Sequence, residues 1–272
     1  MVGPGAPVKR GSHRSAYGSH RNRLVTEVTE DAILGGRVRI RQPARGYRVN
    51  VDTLLLAAAQ PRVIADGARV VEPCCGVGAA LLAVAARHEG DISFVGIERD
   101  PGFADTARQN VELNSASHRI RVVEGDALDA GADYGLFDHV FFNPPYDTPG
   151  EGRAPAEGKR AAYLADRPLG DWIKVWSNRM RAQATLTLIH RAHRLGDILD
   201  ALDGRLGGVE VLPIYPSARD GARRVIVRAR KGSRAPLQIL RGLVLHPSED
   251  TKEKYTPEAD ALLRGEAQLW FG

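Results

Sequence analysis

Between residues 68 and 229 the apolar positions switch repeatedly between two spacings, and the switching predicts an α/β chain. Runs of strand length fall at 68–72, 92–98, 120–123, 137–142, 184–190, 209–214 and 224–229. Between them, helical spacing marks 78–87, 101–113, 169–180 and 195–206, with Pro101 suited to a first helical position. Trp172 and Trp176, four apart, are expected on one buried helix face. Strands alternating with helices imply right-handed crossovers and a mostly parallel, doubly wound sheet. Ligands of such sheets bind beyond the carboxyl ends of the strands, near the switch in strand order.

Outside that repeat the pattern changes. Residues 1–24, rich in Gly, Ser, Pro, Arg and His, can bury little apolar surface and are expected to stay disordered until bound. Residues 33–49 alternate (Val38, Ile40, Tyr47, Val49) around Pro43 and Gly46, which predicts two short strands joined by a turn. Asp52 is the right residue type for an N-cap and is expected to open a helix over 53–59 that turns Leu54, Leu55 and Leu56 inward. Residues 147–166 have little periodicity and read as a lid. The expected organisation is a basic tail (1–24), a β-hairpin with a helix (25–60), the main domain (61–245) and a C-terminal extension (246–272).

Composition narrows the setting. With 272 residues, 43% of them apolar, the chain can bury one full α/β core plus an accessory segment. The two cysteines, Cys74 and Cys75, are adjacent, so no disulfide framework is expected and a reducing cytoplasm fits best. No apolar run approaches the roughly 20 residues that cross a bilayer, and the basic, glycine-rich start lacks a signal peptide's apolar stretch. No membrane association is expected. The net charge of +5 is concentrated: Lys9, Arg10, Arg14, Arg21 and Arg23 carry the whole excess in a stretch without acids. Arg37, Arg39, Arg41, Arg45 and Arg48 form a second cluster, and residues 219–234 form a third with Asp220 as its one acid. Three basic patches point to a nucleic-acid partner.

The candidate chemistry sits at two strand ends. After 137–142 come Asn143-Pro144-Pro145-Tyr146. An exocyclic amine is a poor nucleophile because its lone pair is delocalised into the ring. An Asn side-chain oxygen and a rigid Pro carbonyl can each accept one of its N–H groups and draw the nitrogen towards tetrahedral geometry, while a tyrosine face stacks an extruded base. After 68–72 comes Glu72-Pro73-Cys74-Cys75-Gly76-Val77-Gly78, where Leu81 occupies the third small position of a dinucleotide fingerprint and so argues against a nicotinamide cofactor. Glu98, 20 residues beyond Gly78, is placed to accept ribose hydroxyls, and Asp126, beside Ala127, to accept from an adenine amine. Nothing cradles phosphate, so a nucleoside cofactor without phosphates, S-adenosylmethionine, fits best. His190 and His193 lack a zinc-type ligand set, and no metal is expected.

These residues resemble the class I S-adenosylmethionine-dependent methyltransferases, and within them the transfer RNA(Val)-type branch that methylates adenine N6 beside the anticodon. The segment from Gly46 to Leu56 is similar to that branch's motif ahead of the cofactor loop, and 185–191 is similar to its late strand. The glycine loop, Glu98, Asp126 and the tetrapeptide follow in the family's order, so the resemblance covers about 26–245. It implies a Rossmann-like sheet of seven strands, the last antiparallel, with a short N-terminal β extension. It also implies a cofactor held by Tyr47, Asp52, Thr53, Glu72, Cys74, Gly76, Gly78, Glu98, Asp126, Ala127 and Asn143, and attack of a transfer RNA amine on the sulfonium methyl at Asn143, Pro144, Pro145 and Tyr146. Two departures stand out. Glu72, Pro73 and Cys74 replace the common Asp, apolar residue and Gly, and Asp147 follows where an aromatic is frequent. Guanine N2 in ribosomal RNA, adenine N6 in DNA and glutamine N5 in protein share the tetrapeptide's logic, and a non-catalytic RNA-binding protein is the reading from another class.

Overall fold

The structure, a computed structural model, describes residues 27–46, 48–145, 167–247 and 252–271. The expected basic tail and the 147–166 lid lie outside these residues. The strands are β1 (Val28–Ile33), β2 (Val38–Pro43), β3 (Arg69–Pro73), β4 (Ser93–Glu98), β5 (Ile120–Glu124), β6 (Phe137–Phe142), β7 (Met180–Arg191), β8 (Gly207–Tyr215), β9 (Arg224–Arg230), β10 (Gln238–Ile239) and β11 (Leu243–Val244). The helices are α1 (Val51–Ala58), α2 (Ala79–Ala85), α3 (Pro101–Leu113), α4 (Leu169–Asn178), α5 (Leu195–Leu202) and α6 (Pro257–Arg264).

Nine of the strands form one sheet in the order β10-β8-β9-β7-β6-β3-β4-β5, with β11 also on β8. Of these, β9 alone runs antiparallel to its neighbours β7 and β8, as the family pattern implies. The expected count of seven is exceeded by β10 and β11, two residues each and parallel to β8, which are too short to leave a periodic signal. Strand order reverses at β3, which pairs with β4 on one side and β6 on the other. That switch point brings the glycine segment and the tetrapeptide side by side.

Successive residues of each strand feed two cores, because side chains alternate across a pleated sheet. Val70 and Phe141 pack with Leu55, Leu82 and Val111 from α1, α2 and α3. Val71, Val140 and Phe142 face the other way, against Trp172, Ile173 and Trp176 of α4 and Ile198 of α5. The tryptophan pair is thus one buried face. The C-terminal segment is built into the first layer. Leu262 and Leu269 are buried there, and the Leu269 N–H donates to the Ala58 carbonyl at 3.0 Å.

Two expectations near the N-terminus need correction. The hairpin is β1 with β2, in the register Ile33↔Val38 to Val28↔Pro43, and not two strands within 33–49. Its turn runs through Leu34, Gly35 and Gly36, all with positive φ. The β1 strand has no fully buried position, so it left no apolar alternation to read. The N-cap of α1 is Asn50, whose Oδ1 accepts from the Thr53 N–H at 3.2 Å, and Asp52 lies in the first turn.

The outer edge of β2 is held by side chains of α3. Asn110 Oδ1 accepts from the Arg41 N–H at 2.7 Å while its Nδ2 donates to the Arg41 and Val77 carbonyls, both at 2.9 Å. Asn114 repeats the grip one turn on, with the Arg39 N–H at 2.9 Å and the Arg39 carbonyl at 2.7 Å. Asn110 is fully buried and ties the hairpin to the glycine loop. Asn110→Ala strands three polar groups and should cost about 2–4 kcal/mol of unfolding free energy, read by denaturant titration; a loss under about 1 kcal/mol would show the clamp to be dispensable.

The basic clusters also differ from their appearance in sequence. Arg39 and Arg41 pair with Glu30, and Arg48 pairs with Asp31, acids supplied by the facing strand β1. Arg37 donates to the Gly265 carbonyl. The 219–234 cluster is divided by β9. Arg228, inside the strand, is buried, donates to the Ala59 carbonyl and lies over the Phe271 ring. Lys231 donates to the Ser177 and Met180 carbonyls at 2.9 and 2.8 Å.

Candidate functional site

The loop after β3 owes its shape to three left-handed residues, Cys74 (φ 56°), Gly76 (φ 55°) and Gly78 (φ 78°). A non-glycine in that region costs roughly 1–2 kcal/mol, which explains why glycine is common where Cys74 stands. The Cys74 thiol donates to the Asn143 carbonyl at 3.6 Å, so the substitution also joins the loop to the tetrapeptide. Burial, with Glu98 and Glu72 nearby, pushes the Cys74 thiol up, and it stays protonated rather than acting as a nucleophile.

Glu98 ends β4 beneath this loop. Its Oε2 accepts from the Gly76 N–H and its Oε1 from the Asp100 N–H, both at 2.9 Å. Burial raises its carboxyl above the usual range, and those two hydrogen bonds pull it back. Gly96, two residues earlier on the same face of the strand, leaves room for Cys75, since a Cβ there would meet the Cys75 Sγ at 2.8 Å. The loop therefore rests on β4 through one carboxylate and one missing side chain.

Beside the loop lies a narrow, partly open cleft lined by Val49, Thr53, Glu72, Cys74, Val77 and Asn143 among others. Two buried oxygens among its lining residues have no hydrogen-bond partner among the described residues, Glu72 Oε2 and Asn143 Oδ1. Buried polar groups are normally satisfied, so these two mark where a donor-bearing ligand belongs. Glu72 is 4% exposed, and burial raises its carboxyl well above the usual range, with Glu98 adding to the effect. A raised carboxyl favours the folded state most at acid pH, and that contribution is lost as pH rises through the folded-state value. Glu72→Gln should therefore raise the melting temperature of the ligand-free protein at neutral and alkaline pH, with the gain shrinking towards pH 4.5. A difference that does not change with pH would contradict a buried titrating Glu72.

The expected site residues thus separate into two groups. Thr53, Glu72, Cys74 and Asn143 meet in the cleft, with Gly76, Gly78 and Glu98 shaping the loop that bounds it. Pro144 is buried and Pro145 half-buried beyond Asn143. Asp52 is not a cleft residue but pairs with Arg224 at 3.0 Å. Asp126 lies past the end of β5, accepting from the Leu128 N–H at 2.8 Å and from Arg167 at 3.1 Å, with Ala127 buried beside it. Tyr47, Tyr146 and Asp147 lie outside the described residues. His190 is buried within β7, opposite Val225, and burial depresses its pKa to about 4, so it is neutral at pH 7.

Sequence reasoning missed Val49, Asn50, Asn110 and Arg167. Asn50 was legible as a capping residue three before Thr53, and Asn110 with Asn114 as an amide pair at helical spacing. Arg167 carried no local signal. Among the described residues no group of His, Cys, Asp and Glu could hold a metal ion, and no helix is long and apolar enough to cross a membrane.

Comparison with known proteins bears on this geometry. Residues 70–150 match a family model described as a methyltransferase domain. A solved structure from Agrobacterium tumefaciens, described as a predicted O-methyltransferase, is 33% identical, with a TM-score of 0.65, covering 80% of this chain and 98% of that one. The Thermus thermophilus 16S ribosomal RNA N2 G1207 methyltransferase, solved with AdoMet and guanosine, shares the fold at a TM-score of 0.55 and 19% identity, over 75% of this chain and 50% of that one. Among curated proteins, a tRNA1(Val) (adenine(37)-N6)-methyltransferase from Actinobacillus succinogenes is 27% identical over 56% of this chain. One of the same name from Salmonella enteritidis is 33% identical over 43% of this chain. The chain spans 64% of the length of the first and about half of the second.

Proposed function

The chain belongs to the class I S-adenosylmethionine-dependent methyltransferases, and we propose that it methylates the N6 amine of an adenine in transfer RNA, next to the anticodon. The observation that carries the amine reading is the buried Asn143 Oδ1 in the cleft, without a hydrogen-bond partner among the described residues. An acceptor without a partner in a dry site is costly unless a donor arrives, and an exocyclic amine brings two N–H groups. The curated relatives named for adenine N6 of tRNA1(Val) support the choice of base and of RNA.

The cofactor is S-adenosylmethionine, which supplies an electrophilic methyl group on its sulfonium sulfur. The cleft suits it: Glu72 Oε2, buried and without a partner among the described residues, can accept from an ammonium, and Glu98 keeps lone pairs for hydroxyls beside its two backbone partners. Asn143 Oδ1 accepts one amine N–H and the Pro144 carbonyl the other, which holds the nitrogen and turns its lone pair out of the ring. No strong base is required, because the amine attacks first and loses its proton afterwards. Pro144 and Pro145 fix the backbone so that these acceptors stay aimed. Tyr146 supplies the stacking face for the extruded base.

The decisive experiment offers the protein labelled cofactor with unmodified transfer RNA, ribosomal RNA, DNA and protein in parallel, and identifies the product by mass spectrometry. N6-methyladenosine in an anticodon loop supports the proposal. Label on guanine N2, on a glutamine amide or on a hydroxyl, the last in keeping with the description of the Agrobacterium relative, would replace it.

A further inference from the structure

We infer that the RNA is gripped by a short cationic ledge built on Arg219 and Arg223, and not by the 219–234 cluster as a whole; this rests on the reading of the protein as an RNA methyltransferase. Although the cluster is continuous in sequence, β9 carries its two halves to opposite edges of the sheet. Arg224 pairs with Arg191 at the end of β7, whereas Arg230 pairs with Thr185, six residues back along the strand. The six residue steps between them span about 20 Å. The first half therefore stands on the edge where β6 ends in Asn143, because β7 runs parallel to β6 with Leu188 beside Phe142.

The ledge is tied to the cleft and held rigid. Arg224 donates to Asp52, whose neighbour Thr53 lines the cleft. The Arg223 N–H donates to the Ile214 carbonyl at 3.0 Å, and the Arg223 carbonyl accepts from the Ala192 N–H at 3.1 Å, so its backbone bridges two strand ends. The one acid in the loop, Asp220, accepts from the Ser217 hydroxyl at 2.7 Å, and the same hydroxyl oxygen accepts from the Arg219 N–H at 3.3 Å. Arg219 and Arg223 are exposed, as is His193 on the same edge. An extruded base enters the cleft with its flanking phosphates outside, and a pair of exposed guanidiniums on a hydrogen-bonded backbone beside the Arg224–Asp52 contact matches that chemistry. At the far end of β9, Arg230 and Arg234 are also exposed, about 20 Å of strand away from Arg224.

Charge reversal separates the two edges. Arg219→Glu with Arg223→Glu should weaken binding of unmodified transfer RNA by about tenfold or more and make the slope of log K against log salt shallower by roughly 1.4–1.8, two phosphate contacts' worth. Cofactor affinity by calorimetry should be unchanged, which also reports that the variant is folded; Arg219→Gln with Arg223→Gln gives a milder version of the same loss. Arg230→Glu with Arg234→Glu should leave binding within about twofold of the parent and the slope unaltered. If wild type methylates RNA while the two reversals weaken binding equally, or the 219/223 pair has no effect, the ledge is wrong and the functional reading stands. If wild type transfers label only to protein, both fall together.

Discussion

Asn143→Ala should lower kcat on the order of 10²–10³-fold while leaving S-adenosylmethionine affinity close to that of the parent. The expectation follows from when the contact matters. Asn143 Oδ1 has no partner among the described residues, so removing it strands nothing in the ligand-free protein and should change stability by less than about 1 kcal/mol. Its worth is realised as the amine pyramidalises, and loss of an interaction made mainly in the transition state lowers kcat rather than raising KM. Asn143→Asp keeps an acceptor and should retain part of the activity. Steady-state kinetics with calorimetry on the same preparations make the test. An alanine variant that turns over at the parental rate would remove Asn143 from the chemistry.

Glu98→Ala should act on both the fold and the cofactor. The Gly76 and Asp100 N–H groups both lose their acceptor, and buried donors left unmade cost about 1–3 kcal/mol each. A loss of roughly 2–5 kcal/mol in unfolding free energy is expected, together with at least about a tenfold loss in S-adenosylmethionine affinity as the glycine loop relaxes and the hydroxyl acceptors vanish. Glu98→Gln separates the two effects, since it keeps one acceptor oxygen and most of the stability. Parental cofactor affinity in both variants would show that the carboxylate supports the loop without touching the ligand.

The places of the seven principal strands and of α3 along the chain were legible because their residues obey one rule at a time. Val140, Phe141 and Phe142 make the end of β6 apolar on both faces, as suits a strand buried between two helical layers, and Pro101–Leu113 opens on a proline behind the capping Asp100. The glycine segment and Asn143 were legible because their positions need special backbone or special chemistry. What escaped reading depended on partners distant in sequence. The β1 strand has no buried face of its own and is held by pairing, with Arg39, Arg41 and Arg48 reaching back to Glu30 and Asp31. Counting charge along 37–48 therefore overstated the free cations there. Asp52 looked like a cap because its true partner, Arg224, lies 172 residues away. The division of 219–234 by β9 became visible only with the register in hand, since a strand that crosses the molecule separates neighbours in sequence by its own length.

The amides of Asn110 and Asn114 address Arg41 and Arg39 only through main-chain N–H and C=O groups. A strand gripped in this way is held whatever its side chains are, provided neither position is proline, which has no N–H to give. The outward residues of β2, Arg39 and Arg41, are thereby released from attachment to α3 and left to pair with Glu30 of β1. A change at either position would act on the pairing with β1 without loosening β2 from its amide clamp. The same amides also cover a row of backbone groups that would otherwise offer a template for pairing with a second chain, so attachment to α3 and protection from edge-to-edge association come from one device.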